Sequence, residues 1–329
     1  MANELTRILD VITPEIFNTY MDQYSTEKSA LIQSGVAVSD ERVSKNITAG
    51  GTLVNMPFWN DLSGEDESLD DGETGLSTGK ITASADVAGV MYRGKGWSVN
   101  ELAAVISGDD PMRALLNKVG DFWLRREQQV LISVLNGLFA PTSGALTSGD
   151  YKHLNTTAAS IDASAILDTK QLLGDAADKL SLLAMHSATF TQLQKQNLID
   201  FIPQSESKIA IPTYLGYRVI VDDGIKPVDG KYTTYLMATG AIGRNTGNPA
   251  ALTTFEKARD AAKGNDNIFT RRAFTMHPYG VKWLNATVSA KTPTNSDLAT
   301  ATNWKPVYES KNIGIVALQH TLGTTAPTV

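Results

Sequence analysis

The sequence predicts an α+β fold organised around one long helix. Three observations carry this reading. Apolar residues recur every three or four positions from Met112 to Leu138. A Gly-, Thr-, Ser- and acid-rich segment from about residue 46 to 96 holds only short alternating runs. After residue 160, helical and strand-like patterns interleave. With 329 residues, 42% of them hydrophobic, the chain is long enough to bury a core without disulfides, and it has no cysteine with which to make one.

In chain order, Thr13-Pro14 reads as an N-cap followed by proline at the first helical position. Ile16, Phe17, Tyr20, Met21 and Tyr24 supply apolar contacts, so residues 14 to 34 read as one broken helix or two short ones ending at Gly35. The next segment alternates over Thr52 to Met56 and Ile81 to Tyr92 and reads as a two-stranded excursion with an irregular tip. Segments this long seldom serve only as connections inside a compact domain, and an arm packed on a neighbouring subunit is the expected use.

Ser98-Val99-Asn100-Glu101 has a capping-box pattern, which predicts a short helix stopping near Gly108, and Asp110-Pro111 starts the next. That second helix is a spine over residues 111–139, about 42 Å long at 1.5 Å per residue. Beyond a loop from Pro141 to Asp150, a helix is expected over about 165 to 181. An apolar run, Leu182 to Met185, and a Ser187-capped helix to about Leu198 follow. Strands are expected near 209–211, 217–222, 233–238, 251–257, 268–277 and 279–284, with one or two more between Trp304 and Leu318.

Composition and motif spacing exclude several functions. A charge of −6 is unlike a surface built to grip nucleic acid, which needs clustered Lys and Arg. No stretch reaches the roughly 18 apolar residues of a membrane span, and the opening residues lack the pattern of an export signal, so a soluble protein is expected. Gly75-Leu76-Ser77-Thr78-Gly79 matches the nucleophile elbow in letters, but an acidic loop precedes it and a strand-like run follows, where strand-turn-helix is required. Gly79-Lys80 lacks the spacing and the hydroxyl of a phosphate loop. Gly240 to Gly243 lacks the dinucleotide spacing and reads as a turn.

The acids Asp61, Glu65, Asp66, Glu67, Asp70, Asp71 and Glu73 lie in a stretch without Lys or Arg from residue 46 to 79. Their spacing from Gly72 does not fit a calcium loop. The run reads as solvated, or as meeting a basic patch on a neighbour, with Arg93 and Lys95 or Arg125 and Arg126 as candidate counter-charges. His153, His186, His277 and His320 show no metal-ligand spacing, and Arg271-Arg272 reads as a solvated pair. No catalytic, cofactor or metal residue is predicted.

The order of parts is that of a short helical arm, a long β excursion, a spine helix and a mixed lobe with returning strands, and it resembles the Hong Kong 97 fold of tailed-phage capsid proteins. The stretches TPEIFNTYMDQYSTEKSALIQSGV, MPFWNDLSGEDE, DPMRALLNKVGDFWLRREQQVLISVLNGLFA and PTNSDLATATNWKPVYESKNIGIVAL are similar to one family of phage major capsid proteins. The resemblance implies an N-terminal arm over 1–45, an extended β loop over 46–97, a peripheral domain over 98–160 and 266–329, and an axial domain over 161–265. It implies a structural subunit, not an enzyme, that forms hexamers and pentamers of an icosahedral virion head assembled in the host cytoplasm.

Such a head encloses double-stranded DNA without sequence-specific binding, and its mild acidity would keep the genome off the wall. The implied partners are a separate scaffolding protein, a portal and a decoration protein. Some members of the fold seal the shell with a Lys-to-Asn isopeptide bond, for which Lys80 or Lys95 would be the arm-side residue. Two alternatives stay open on sequence alone. One is an encapsulin-like shell around protein cargo. The other is a soluble α+β enzyme using acids of the later lobe, such as Asp222, Asp223 and Asp260, which are more simply turn or surface residues.

Overall fold

The structure, a computed structural model, describes residues 30–43, 47, 50–68, 76–107, 110–140, 144–196, 199–203, 210–247, 249–288 and 291–323. The helix expected over 14 to 34 lies outside these residues except for its end, α1 (Ala30–Gln33), which leads into β1 (Ala37–Ser39). The excursion goes out along β2 (Leu53–Trp59) and returns along β3 (Ala83–Asn100), an 18-residue strand.

Two helices follow, α2 (Glu101–Ser107) and the spine α3 (Pro111–Leu138). The spine starts where the sequence says it should. Pro111 occupies the first turn, where its missing N–H costs nothing, and the Asp110 carboxylate accepts from the N–H groups of Met112 (3.0 Å) and Arg113 (3.1 Å).

The mixed lobe contains β4 (Leu154–Ser160), α4 (Ala163–Gln171), β5 (Leu180–Met185), α5 (Ser187–Lys195), β6 (Asp200–Pro203), β7 (Ala210–Tyr214), β8 (Tyr217–Val221) and β9 (Tyr232–Ala238). The chain then returns through β10 (Ile242–Gly247), β11 (Phe255–Asp260), β12 (Asn265–Pro278), β13 (Val281–Trp283), α6 (Asn295–Ala299), β14 (Trp304–Pro306) and β15 (Ile315–Thr321).

These strands form two main sheets. One runs β1-β10-β12-β3-β2, with β11 also on β12. The other runs β4-β15-β9-β5-β8-β7-β6. Residues 154–160 and 315–321 therefore share a sheet with the lobe, while β10 and β11 pair with β12, the neighbour of the arm strand β3.

The run Leu182 to Met185 is apolar throughout because its sheet is covered on both faces. Leu182 and Ala184 pack toward the spine with Leu131, Val134 and Leu135, and Leu183 and Met185 pack on the other side with Ile166, Leu173 and Leu193. β15 splits the same way, with Ile315 and Ala317 on the spine side and Val316 and Leu318 opposite.

Several local expectations need correction. The capping box at Ser98 does not start a helix, because Ser98 and Asn100 are ladder residues of β3 opposite Asn267 and Asn265. The helix begins at Glu101, and the Asn100 side chain accepts from the Leu102 N–H (2.9 Å). The helix expected to reach residue 181 ends at Gln171, since Gly174 takes a φ of 57° and a 3-10 turn (Gly174–Lys179) follows.

Ser187 is the first residue of α5, not its cap. His186 caps it through Nδ1, which accepts from the Ala188 N–H (3.0 Å), and α5 stops at Lys195. Gly240 makes the expected turn (φ 72°), but Ile242 opens a strand that the sequence did not announce.

Candidate inter-subunit contact surfaces

Three features stand out: an arm, a cleft lined by cations, and an outer half of the spine. The arm is one continuous strand with two successive partners. From Asn100 to Val90, β3 pairs with β12. From Gly89 to Ala83 it pairs only with β2. Its base is fixed just beyond this handover, where the buried Asp86 carboxylate accepts from the Gly280 N–H (3.0 Å) and lies 2.9 Å from Nε2 of the equally buried His277. Tyr92 adds a hydroxyl donated to the Gly51 carbonyl (2.7 Å).

At the far end, Asp61, Glu65, Asp66 and Glu67 are exposed, and among the described residues none pairs with a Lys or Arg. Glu67 instead accepts from the Ser77 N–H (2.9 Å) and from its hydroxyl, and these bonds hold its carboxyl below the usual range. Ser77 is thus a loop tie rather than a nucleophile on an elbow. The tip is not merely polar, because Trp59 is 70% and Leu62 76% exposed, and Leu76 and Ile81 are also uncovered. Asp70, Asp71 and Glu73 fall outside the described residues.

The candidate counter-charges divide between two clefts. Arg93 and Lys95, two residues apart on β3, join Arg126 of α3 around a cleft of about 460 Å³ whose floor is Phe122, Trp123, Val130 and Phe274. Arg93 is anchored by donating to the Pro293 carbonyl (2.6 Å) and to Oδ1 of Asn295 (3.1 Å). Burial lowers its pKa, against the pull of the Asp297 charge. Lys95 is exposed. Arg126 lies over the Phe122 ring (5.1 Å) and donates to Oε1 of Gln129 (2.7 Å).

The floor is held by edge-on contacts of Phe122 with Trp97 and Trp123, and by the indole N–H of Trp123 donating to Oγ1 of Thr270 (3.1 Å). Arg125 faces elsewhere, into a second, more polar cleft of about 620 Å³ with Gln129, Ser133, Asp223 and Lys226.

Sequence reading missed Asn295, which lines the cationic cleft. Its helix, α6, carries a capping box in which Thr294 and Asp297 bond reciprocally, a signal present in the letters Thr294-Asn295-Ser296-Asp297. α6 reaches the spine because Gly137 allows it, a Cβ there falling 2.2 Å from the Leu298 carbonyl oxygen.

The inner half of the spine joins four parts of the chain. The buried Glu127 carboxylate meets Arg244 of β10 (2.6 Å) and Arg272 of β12 (3.2 Å). Buried Gln128 accepts from the Ile32 N–H (3.2 Å) and donates to Asp222 at the end of β8. The outer half, from Pro111 to Phe122, has no buried residue, and Leu116 is 45% exposed. Beside it in sequence, α2 displays Leu102, Ile106 and Val105, the last 73% exposed.

Comparison with known proteins gives this geometry its context. The family model described as major capsid protein 13-like (Gp13-like) matches residues 46–314. The major capsid protein of Bacillus phage SPP1 is 38% identical over 325 residues, covering 96% of this chain and 98% of that protein. Among solved structures, the Cyanophage Pam1 capsid asymmetric unit aligns with a TM-score of 0.60 at 12% identity, over 94% of this chain and 96% of that one.

The capsid of Ralstonia phage GP4 aligns at 0.58 and 9% identity, over 96% and 98%. The SrpI encapsulin of Synechococcus elongatus PCC 7942 aligns at 0.56 and 10% identity, over 95% of each chain. At such identities the structural matches show the fold alone, which is the α+β, Hong Kong 97-like fold of phage capsids. The family match and the SPP1 relative carry the rest: the chain belongs to the Gp13-like phage major capsid proteins, a family of structural shell subunits and not of enzymes.

Proposed function

We propose that this subunit closes, through hexamers and pentamers, into the icosahedral head that encloses phage double-stranded DNA. The observation that carries the reading is the amount of apolar surface the subunit leaves uncovered at its extremities: Trp59 and Leu62 on the arm, Val105 on α2 and Leu116 on the outer spine. Such surface on a soluble chain marks contact sites. An arm tip and an outer spine half are different surfaces, and different patches meeting head to tail are what closed rings require.

In this reading residues 1–45 are the N-terminal arm and 46–97 the extended loop lying on the adjacent subunit. Residues 98–160 and 266–329 form the peripheral part. Residues 161–265 form the axial part around each capsomer centre, with β4 and β15 completing its sheet while β10 and β11 return to the sheet of the arm. A scaffolding protein sets the curvature, a portal occupies one vertex, and a decoration protein binds the finished shell. Assembly takes place in the host cytoplasm. The net charge of −6 suits a wall that must not hold the genome. DNA is favoured over protein cargo by the 38% identity to a phage capsid protein across 96% of the chain, against 10% to the encapsulin.

The test is negative-stain electron microscopy and sedimentation of the protein expressed with its scaffolding protein. Closed shells, rings or tubes are expected, and a strictly monomeric subunit under those conditions would refute the proposal. Deleting residues 61–79 should leave soluble protein that assembles poorly, and normal particles from that deletion would remove the arm from the interface.

A further inference from the structure

We infer that the cleft walled by Arg93, Lys95 and Arg126 is the receptor for the acidic tip, Asp61 to Glu67, of a second copy of this chain. The inference rests on the shell reading and adds the receiving site. Charge complementarity is the first support. The tip lies in a stretch without a single Lys or Arg from residue 46 to 79, and the cleft brings three cations to one mouth. Apolar complementarity is the second. Leu62 projects at the tip between Asp61 and Glu65, and the cleft floor is Phe122, Trp123, Val130 and Phe274.

The third support is a distance that rules out the tip of the same molecule. Ten residues of one strand separate Ala83, where the tip begins, from Arg93. At 3.3 Å per residue that is about 33 Å. The ladders with β12 and then β2 run along this whole length, which sets the tip a strand's length from its own cleft. A tip that cannot reach its own receptor but matches it in charge and apolar character is built for a neighbour. Arg125, in the other cleft, takes no part.

Lys95 makes the contact testable by zero-length chemistry. A carbodiimide joins an amine to a carboxylate only where the two touch, and arginine does not react. Assembled wild-type particles treated with carbodiimide should give dimers and higher multimers on a denaturing gel. The tryptic segment 46–80, which holds every acid of the tip, should be found joined to the segment 94–113, which holds Lys95. Lys95→Arg keeps the charge and should give particles without that product.

Well-formed particles in which Lys95 is never joined to segment 46–80 would overturn the inference and leave the shell reading intact. Failure of wild-type protein to form particles at all would strike the shell reading itself. As a second measurement, Arg126→Glu should lower particle yield about tenfold by setting like charges together, with recovery when Glu65→Lys and Glu67→Lys are added. Undiminished yield from Arg126→Glu alone would also overturn it.

Discussion

The two halves of the spine helix carry the same apolar spacing and meet opposite fates. From Trp123 to Leu138 the stripe is buried by the chain itself, through Leu131, Val134, Leu135 and Leu138 against both sheets. From Pro111 to Phe122 the spacing continues through Met112, Leu115, Leu116 and Val119, yet no residue there is buried. Periodicity reports that a helix has an apolar face. It does not report whose surface covers that face. In a shell subunit the second half of the answer can lie on another molecule.

The comparison would break most visibly at the inner half. Leu135 is fully buried, so Leu135→Ala should cost the unassembled subunit about 2–5 kcal/mol, read as a lower denaturant midpoint at unchanged slope. Glu127→Ala should cost about 3 kcal/mol, the low end for breaking a buried ion pair, because Arg244 and Arg272 each keep part of their surface in water. If neither change moves the midpoint, the inner half is not the core of the subunit.

The second expected effect is on pH, and it again separates interior from extremity. His153 and His320 are fully buried. The ring nitrogens of His153 lie 2.7 Å from the Ile315 carbonyl oxygen and 2.9 Å from Oγ of Ser310, and Nε2 of His320 lies 3.1 Å from Oγ1 of Thr234. Burial, the largest influence on both, holds their pKa below the usual histidine value. The folded state therefore binds fewer protons than the unfolded state. Their contribution is complete above about pH 6.5, the unfolded value, and is lost as pH falls below it. The unfolding midpoint of the subunit should drop from pH 7 to 5, and His320→Gln should flatten part of that slope. Glu67→Gln at the tip should leave the slope between pH 7 and 5 unchanged, since the Ser77 hydrogen bonds hold that carboxyl below the usual range and keep it ionised throughout this window.

Elements whose cause is local were legible in the sequence. Asp110-Pro111 fixes the start of the spine, and the β-rich runs near 217–222 and 233–238 appear as β8 and β9. Other expectations failed because they depended on distant partners. The Ser98 capping box is real as a pattern, but the ladder with Asn265 to Asn267 takes those residues first. Ile242 to Gly247 has no strand signature and is a strand because β12 lies beside it on one edge and β1 on the other.

The candidate site shows the same limit. Arg125 and Arg126 are neighbours in sequence but about 100° apart around the helix, so only one of them can share a cleft with Arg93 and Lys95. Trp123 and Asn295 could join that site only once α6 had been packed on the spine across 172 residues of chain, the separation from 123 to 295.

The smallest effect on the subunit should be the most informative about the shell. Leu116→Ser on the outer spine and Val105→Ser on α2 remove apolar surface that the isolated chain leaves in water, so each should change subunit stability by no more than about 0.5 kcal/mol. In assembly with scaffolding protein the same substitutions should lower particle yield, because the groups removed are the ones a neighbour would bury. A midpoint loss comparable to that of Leu135→Ala would mean that the outer half is covered within its own chain. Unchanged midpoint together with unchanged yield would mean that nothing covers it, and the contrast between the halves would then be one of exposure alone. Only a loss of assembly at constant stability makes the outer stripe the surface by which one subunit holds the next.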